Sequence, residues 1–435
     1  MSGKYIRYFM ITFVLTVVVG GLGMLGYEKL YKKQKTQTVS VQSEILSGSM
    51  DTSVSSEHAS QSVNEDMTKI EDITENADAG TDRTGHDSDS NISEPENLAD
   101  GAIGIESDLT DFNQKTKQAV LIFGGDICFH DPYANMCSYV QRGSDIEKCI
   151  SEYLLKEMRD ADICMVNNEF SYSDRGEPLA DKMYTFRSKP ENVNILHDMG
   201  VDIVSVANNH AYDYGRDAFL DTLQILDDAG IYRVGGGENL EDASKPVYFT
   251  VNGLKIGYVA ATQIERNETP DTKGATEAAP GVLRCFNEGE LEHFLEIVKK
   301  TKKECDFLVA YMHWGTENTD ETDWAQPYQA NLLSSAGADL IVFCQPHCLQ
   351  GMDVIGGIPV VYSLGNYWFN SKNLDTALLK VVVGENGLES LQVIAAQQAD
   401  CATKELLGSE KARVLNYLQE LSPNLTIDED GIVTW

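Results

Sequence analysis

Cysteine pairs are missing from this chain. The 435 residues include nine cysteines, all between Cys128 and Cys401, and none stands in a C-x-x-C arrangement. An odd count without paired spacing argues against a disulfide framework and against a structural zinc site, and leaves buried free thiols, or a chain living where oxygen is scarce, as the readings. Positive charge is also scarce. There are 34 Lys and Arg against 68 Asp and Glu, a net charge of −34 at pH 7. Such a chain repels phosphate backbones, so nucleic acid is excluded as the expected partner. No internal repeat is visible. Between residues 36 and 115 aromatics are few and apolar periodicity is absent, while Ser, Thr, Asp, Glu and Asn abound. That composition cannot bury enough surface to offset its ordering entropy, which predicts a disordered acidic linker over residues 36–117. His58 and His86 fall in it and read as solvated bystanders.

What the chain does have begins with residues 8–27, a run of twenty without a charge. As a helix it is long enough to cross a hydrocarbon core of about 30 Å. Lys4 and Arg7 precede it, Lys29, Lys32, Lys33 and Lys35 follow, and no lipobox cysteine comes after. The expectation is an uncleaved single transmembrane helix, with residues 1–35 as an anchor and the membrane as a partner. Counted by the positive-inside rule, the downstream lysines favour a cytoplasmic domain.

A folded domain is expected over 118–400, with a helical tail over 401–435. Residues 119–123, 162–166 and 201–207 read as buried strands, separated by helical spacing over 144–161 and 190–199 and followed by a helix over 215–229. Strands alternating with helices indicate βαβ units and an α/β fold. Residues 247–251 and 255–261 flank Asn252-Gly253 and predict a hairpin. Further strands are expected at 307–312, 339–343 and 358–364, with helices over 288–303 and 324–336, and a last hairpin turns at Glu385-Asn386-Gly387. A charged amphipathic helix is expected over 403–421.

Polar groups cluster where five of these strands end: Asp126; Glu169; Asn209 with His210; His313; and Gln345 with His347. In open α/β sheets, ligands bind outside the carboxyl ends of the strands. Asn209 can offer a neutral oxygen to a metal, His210 can move protons, and Asp213 can orient that imidazole. The plainer alternative at 208–213 is a helix N-terminus, with an asparagine as cap and Asp213 at the positive end of the dipole. Asp126 can equally be a turn residue, His313 a core histidine and His347 an imidazole fixed in a loop. Taken together, carboxylates, imidazoles and an amide oxygen suit one or two divalent ions of the Mn, Zn or Fe kind.

Gly125-Asp126-Ile127, Asn167-Asn168-Glu169, Asn208-Asn209-His210-x-x-Asp213-x-Gly215, His313-Trp314-Gly315-x-Glu317, Pro346-His347-x-x-Gln350 and Tyr362-Ser363-Leu364-Gly365-Asn366 follow one another in a recognisable order. Over residues 119–383 the chain resembles the CapA family of poly-γ-glutamate capsule biosynthesis proteins, relatives of the calcineurin-like metallophosphoesterases. The resemblance implies a four-layer α/β/β/α sandwich on the outer face of the cell membrane, against the lysine count. It implies that Asp126 and His347 hold one metal with Glu169 bridging. Asn209 and His313, with Gln345 in place of a histidine, would hold the other, and His210 would protonate a leaving oxygen. It also implies an anionic polymer and polymer-synthase subunits as partners. Three positions depart from the family pattern. Gln345 replaces a histidine and is preceded by Phe343-Cys344, Asn168 replaces a leucine, and Cys128 stands where true phosphoesterases have a histidine. Three functions are expected on this basis: polymer synthesis, export or anchoring; phosphoesterase activity; or binding by a site that no longer turns over.

Overall fold

The structure is a computed structural model that describes residues 117–180, 182–264 and 273–435. The expected location, a single-pass membrane protein with its large domain outside the cell, is corrected by it. No helix among the described residues is long and apolar enough to cross a membrane. Helix α5 (Glu288–Lys302) has only 15 residues and carries Lys299, Lys300 and Lys302 in its last turn, whereas a span needs about 20 apolar residues. The run at 8–27 and the segment at 36–115 lie outside the described residues.

Two sheets form the centre. The first contains β1 (Gln118–Ile127), β2 (Ile163–Asn168), β3 (Ile203–Ser205) and β4 (Tyr232–Val234), side by side and parallel. The second contains the hairpin β5 (Val247–Val251) and β6 (Leu254–Thr262), then β7 (Phe307–His313), β8 (Leu340–Cys344), β9 (Leu349–Ile355) and β10 (Ile358–Leu364). Its order is β9-β10-β8-β7-β6-β5, with β6, β7, β8 and β10 parallel. Strands β11 (Asn366–Trp368), β12 (Leu374–Gly384), β13 (Gly387–Ala399) and β14 (Ala402–Glu405) return to the first sheet, where β11 and β12 both pair with β1.

The pleat divides the apolar residues between layers. On β1, Leu121 and Phe123 enter a cluster shared with Tyr258, Val309 and Val342 of the facing sheet. Ile122 points the other way, to a cluster containing Leu154, Leu196, Phe219 and Leu223. Those residues belong to helices α2 (Glu152–Arg159), α3 (Asn194–Met199) and α4 (Gly215–Asp228), which with α1 (Ala134–Gln141) cover the outer face of the first sheet. Likewise Leu308 and Met312 of β7 face Phe294 and Val298 of α5 and Leu333 of α6 (Ala325–Ala336). Helix, sheet, sheet and helix follow in succession. Strands buried on both faces read as the continuous apolar runs that marked them.

Two local readings differ from the structure. The expected helix over 144–161 is broken: a 3₁₀ turn at Ile146–Lys148 is followed by α2 only from Glu152. Between them Ile150 bridges to Thr403, and Ser151 N–H donates to the Thr403 carbonyl at 3.0 Å. The same pairing converts the expected start of the last helix into β14. That helix, α7 (Gly408–Glu420), begins later and buries Val414, Leu415 and Leu418 in the cluster between the sheets.

Candidate metal centre

The parallel strands of both sheets bring their carboxyl ends to one edge. On β1 the register against β2 shifts between Phe123 and Asp126, a bulge formed at Gly124-Gly125. Bulges re-aim side chains, and here Asp126 is turned into the site. A Cβ on Gly125 would stand 1.9 Å from the Gly365 carbonyl oxygen, so only glycine permits this approach. Asp126 N–H donates to that same oxygen at 3.0 Å. On the other sheet, Gln345 and His347 follow β8 with φ of 107° and 59°. Left-handed backbone in residues other than glycine is uncommon and clusters at ligand sites.

The structure brings together Asp126, Glu169, Asn209, His210, His313, Gln345 and His347. All are buried except His347, which keeps 15% side-chain exposure. His347 Nδ1 lies 3.4 Å from Asp126 Oδ2 and donates to Asn366 Oδ1 at 2.8 Å, while its Nε2 lies 3.7 Å from Glu169 Oε1. His313 Nε2 lies 3.0 Å from Asn209 Oδ1 and 4.0 Å from Glu169 Oε1. His210 Nε2 stands 3.9 Å from the same Glu169 oxygen, and its Nδ1 meets Asp213 Oδ2 at 2.7 Å. Gln345 approaches through its backbone, whose N–H donates to Asp126 Oδ2 at 3.3 Å. Its amide N–H donates to Glu317 Oε1 at 3.3 Å.

Charge is arranged as these contacts demand. Burial raises the Glu169 carboxyl well above its ordinary value, with His347 opposing. Burial also pushes Asp126 upward, but its hydrogen bond to His347 and the nearby imidazoles outweigh that and hold it below the ordinary carboxylate value. His347 is pushed up to about 10: burial disfavours its charge, and Glu169, Asp126 and Asn366 overcome that. His313 is driven down to about 3, chiefly by burial, and is the neutral imidazole that metal ligation uses. Burial also lowers His210, against the attraction of Asp213.

The donor set fits a divalent ion. Glu169 Oε1 and Gln345 Oε1 are buried and accept no hydrogen bond among the described residues, although buried acceptors are normally paired. Donor atoms that share a tetrahedral ion at about 2.0–2.2 Å stand roughly 3.3–3.6 Å apart. The three imidazole nitrogens around Glu169 Oε1 are only a few tenths of an ångström farther. One ligand atom each from Asp126, Glu169 and His347 lie within 4.8 Å of one another.

The chain matches the family described as Bacterial capsule synthesis protein PGA_cap over residues 120–371. It belongs to that family. It is 33% identical over 306 residues to the PGA biosynthesis protein CapA of Bacillus subtilis (strain 168), covering 68% of this chain and 77% of that one. It is 30% identical over 246 residues to the Capsule biosynthesis protein CapA of Bacillus anthracis, covering 55% and 58%. A Probable polyglutamine synthesis accessory protein of Mycobacterium tuberculosis (strain ATCC 25618 / H37Rv) is 26% identical over 208 residues, covering 47% and 55%. The chain thus spans little more than half the length of the latter two.

Within this PGA_cap site, several partners escape a reading by strand ends. Asn167 donates its amide to Asp126 Oδ1 at 2.8 Å and to Glu169 Oε2 at 3.2 Å, locking both carboxylates. Asn208 donates to Asn167 Oδ1 at 3.1 Å and accepts from His210 N–H at 3.1 Å, holding the loop. The motifs themselves contain Asn167, Asn208 and Asn366, and could have marked them. Lys182 has no such signal. Its ammonium donates to Asp213 Oδ1 at 2.6 Å and to the Asn209 carbonyl at 2.6 Å, and Phe186 N–H donates to Asp213 Oδ2 at 2.6 Å. Asp213 is therefore an orienting group and not a simple helix cap; its own helix starts at Gly215 with no side-chain cap.

Proposed function

We propose that this capsule-synthesis chain works on a phosphate ester in the assembly or handling of a poly-γ-glutamate-type anionic polymer, through a cleft that holds a divalent metal. What carries the reading is Glu169 Oε1, a buried carboxylate oxygen without a hydrogen bond among the described residues, ringed by nitrogens of His210, His313 and His347 at 3.7–4.0 Å. Asp126, Glu169 and His347 are assigned to one ion, and Asn209, His313 and Gln345 to a second, weaker position. A divalent ion bound there supplies Lewis acidity and a water deprotonated near neutral pH. The chain's own residues do the rest. Asp213 accepts the Nδ1 proton of His210 and is fixed by Lys182 and Phe186, so Nε2 faces the cleft. From there Nε2 takes up the proton that a phosphate monoester carries and passes it to the leaving oxygen, and the imidazole is left neutral. Phe186, stacked on His210 with ring centroids 4.2 Å apart, holds the ring in that plane.

The test is metal analysis of the purified protein, with hydrolysis of a small aryl phosphate in the wild type and in His210→Ala. Bound divalent metal, with turnover that disappears in the variant, is the expected result. A protein that neither binds metal nor hydrolyses the ester overturns the proposal. A second reading, a cleft that binds polymer without turnover, draws on Gln345 and on Cys128 at the place of a phosphoesterase histidine. It requires metal without hydrolysis, and polymer binding that His210→Ala weakens.

A further inference from the structure

We infer that Cys344 is a metal ligand, and that with Asp126 and the Nδ1 edge of His313 it forms a sulfur-containing position in the centre. The inference rests on the metal-binding reading above and deepens it. Gln345 presents only an amide where a stronger donor is expected, and an amide oxygen is a poor ligand for a borderline ion. The residue beside it in sequence carries a stronger donor, on the Nδ1 edge of His313. Cys344 is the last residue of β8 and stands in register opposite His313, the last residue of β7. Neighbouring residues in register on parallel strands point to the same face, and the thiol reaches His313 Nδ1 at 3.1 Å. One donor atom each from Asp126, His313 and Cys344 lie within 4.8 Å of one another, and all three residues are buried.

The thiol is not alone there. Glu169 Oε1, fully buried and without a hydrogen bond among the described residues, lies 4.0 Å from the Nε2 edge of the same imidazole. Gln345 Oε1, also buried and without a geometric hydrogen bond among the described residues, belongs to the next residue. The competing account is a thiol that only packs. Its one backbone bond, to the Met312 carbonyl at 3.4 Å, is within reach of an ordinary buried cysteine. That account leaves the approach of an imidazole and a carboxylate to one buried sulfur unexplained. The Asn167 amide occupies the space between Asp126, Glu169 and His313 Nδ1, the last at 3.4 Å, and its hydrogens serve there as the positive group. On loading, that amide rotates away, the metal–sulfur bond forms and the thiol proton passes to solvent. Sulfur ligation selects thiophilic ions, so this position takes zinc or cobalt in preference to magnesium or calcium.

The experiment loads the metal-free full-length protein with cobalt(II) and with zinc. Cobalt should produce a near-ultraviolet sulfur-to-metal charge-transfer band. Zinc-edge X-ray absorption should show a sulfur neighbour at about 2.3 Å. In Cys344→Ser the band should vanish and zinc affinity should fall at least tenfold, whereas Cys137→Ser, at an exposed thiol, should keep both. Circular dichroism of Cys344→Ser checks that it folds, and the wild-type absorption edge decides the matter even if it does not. Metal bound with only nitrogen and oxygen neighbours overturns the cysteine assignment and leaves the proposed function standing. A band that persists in Cys344→Ser overturns it too. A wild-type protein that takes up neither ion overturns both.

Discussion

At the scale of single residues, the His210–Asp213–Lys182 chain separates chemistry from stability. His210→Ala removes one hydrogen bond and one ring contact, a loss of about 1–2 kcal/mol, while aryl phosphate hydrolysis should fall below detection. Asp213→Ala acts differently. It strands the Lys182 ammonium, whose side chain is 8% exposed, beside a carboxylate site that no longer exists. Breaking a buried pair on one side costs about 3–5 kcal/mol, so urea unfolding should rank Asp213→Ala well below His210→Ala. Equal midpoints for the two would show that Lys182 finds another partner. Gln345→His is the opposite kind of change. The position already tolerates a φ of 107°, and an imidazole there should bind metal more tightly than the amide. Competition with a chelator reads this directly, and an unchanged affinity would remove Gln345 from the ligand set.

At the scale of elements, the bulge in β1 is the device that points Asp126 into the cleft. Gly125→Ala drives a methyl group against the Gly365 carbonyl, an obstacle of backbone and not of a movable side chain. The cost should exceed the roughly 1–3 kcal/mol of ordinary overpacking, and metal content should fall with it because the β1–β11 contact opens. Phe294→Ala, in α5 on the far face of the second sheet, is the control. It should lose about 3–5 kcal/mol with metal stoichiometry unchanged. If Phe294→Ala lost metal as readily as Gly125→Ala, the bulge would have no special role. Both elements were legible in outline. The apolar runs of β1 and β7 predicted strands, and Asn287 with Glu290 forms the capping box that starts α5. The bulge itself was not legible, because nothing in Gly124-Gly125 specifies the carbonyl of Gly365 as its neighbour.

For the whole molecule, the centre ties the two sheets together: Asp126 and Glu169 stand at strand ends of the first, His313 and His347 at strand ends of the second. Metal that binds the folded chain alone should therefore raise its stability by mass action, by about 2.7 kcal/mol at a hundred times the dissociation constant. A thermal scan at increasing zinc or manganese should show the midpoint climbing with concentration, and chelation should reverse it. A midpoint indifferent to metal would mean that the carboxylate–imidazole cluster is complete with His347 as its only cation.

The sequence by itself determined the strand–helix alternation, the strand ends that carry Asp126, Glu169, Asn209, His313 and His347, and the family. These depend on local patterns, the period of two in a strand and the polar break that ends it. Tertiary structure decided the rest. Thr403 broke the helical spacing at Ile150, because a strand edge offers backbone bonds that outweigh a short amphipathic stretch. Lys182 reached Asp213 across 31 positions, and Cys344 met His313 across 31 as well. Contacts between residues so far apart follow from which layers pack and in what register, and local periodicity carries no information about either.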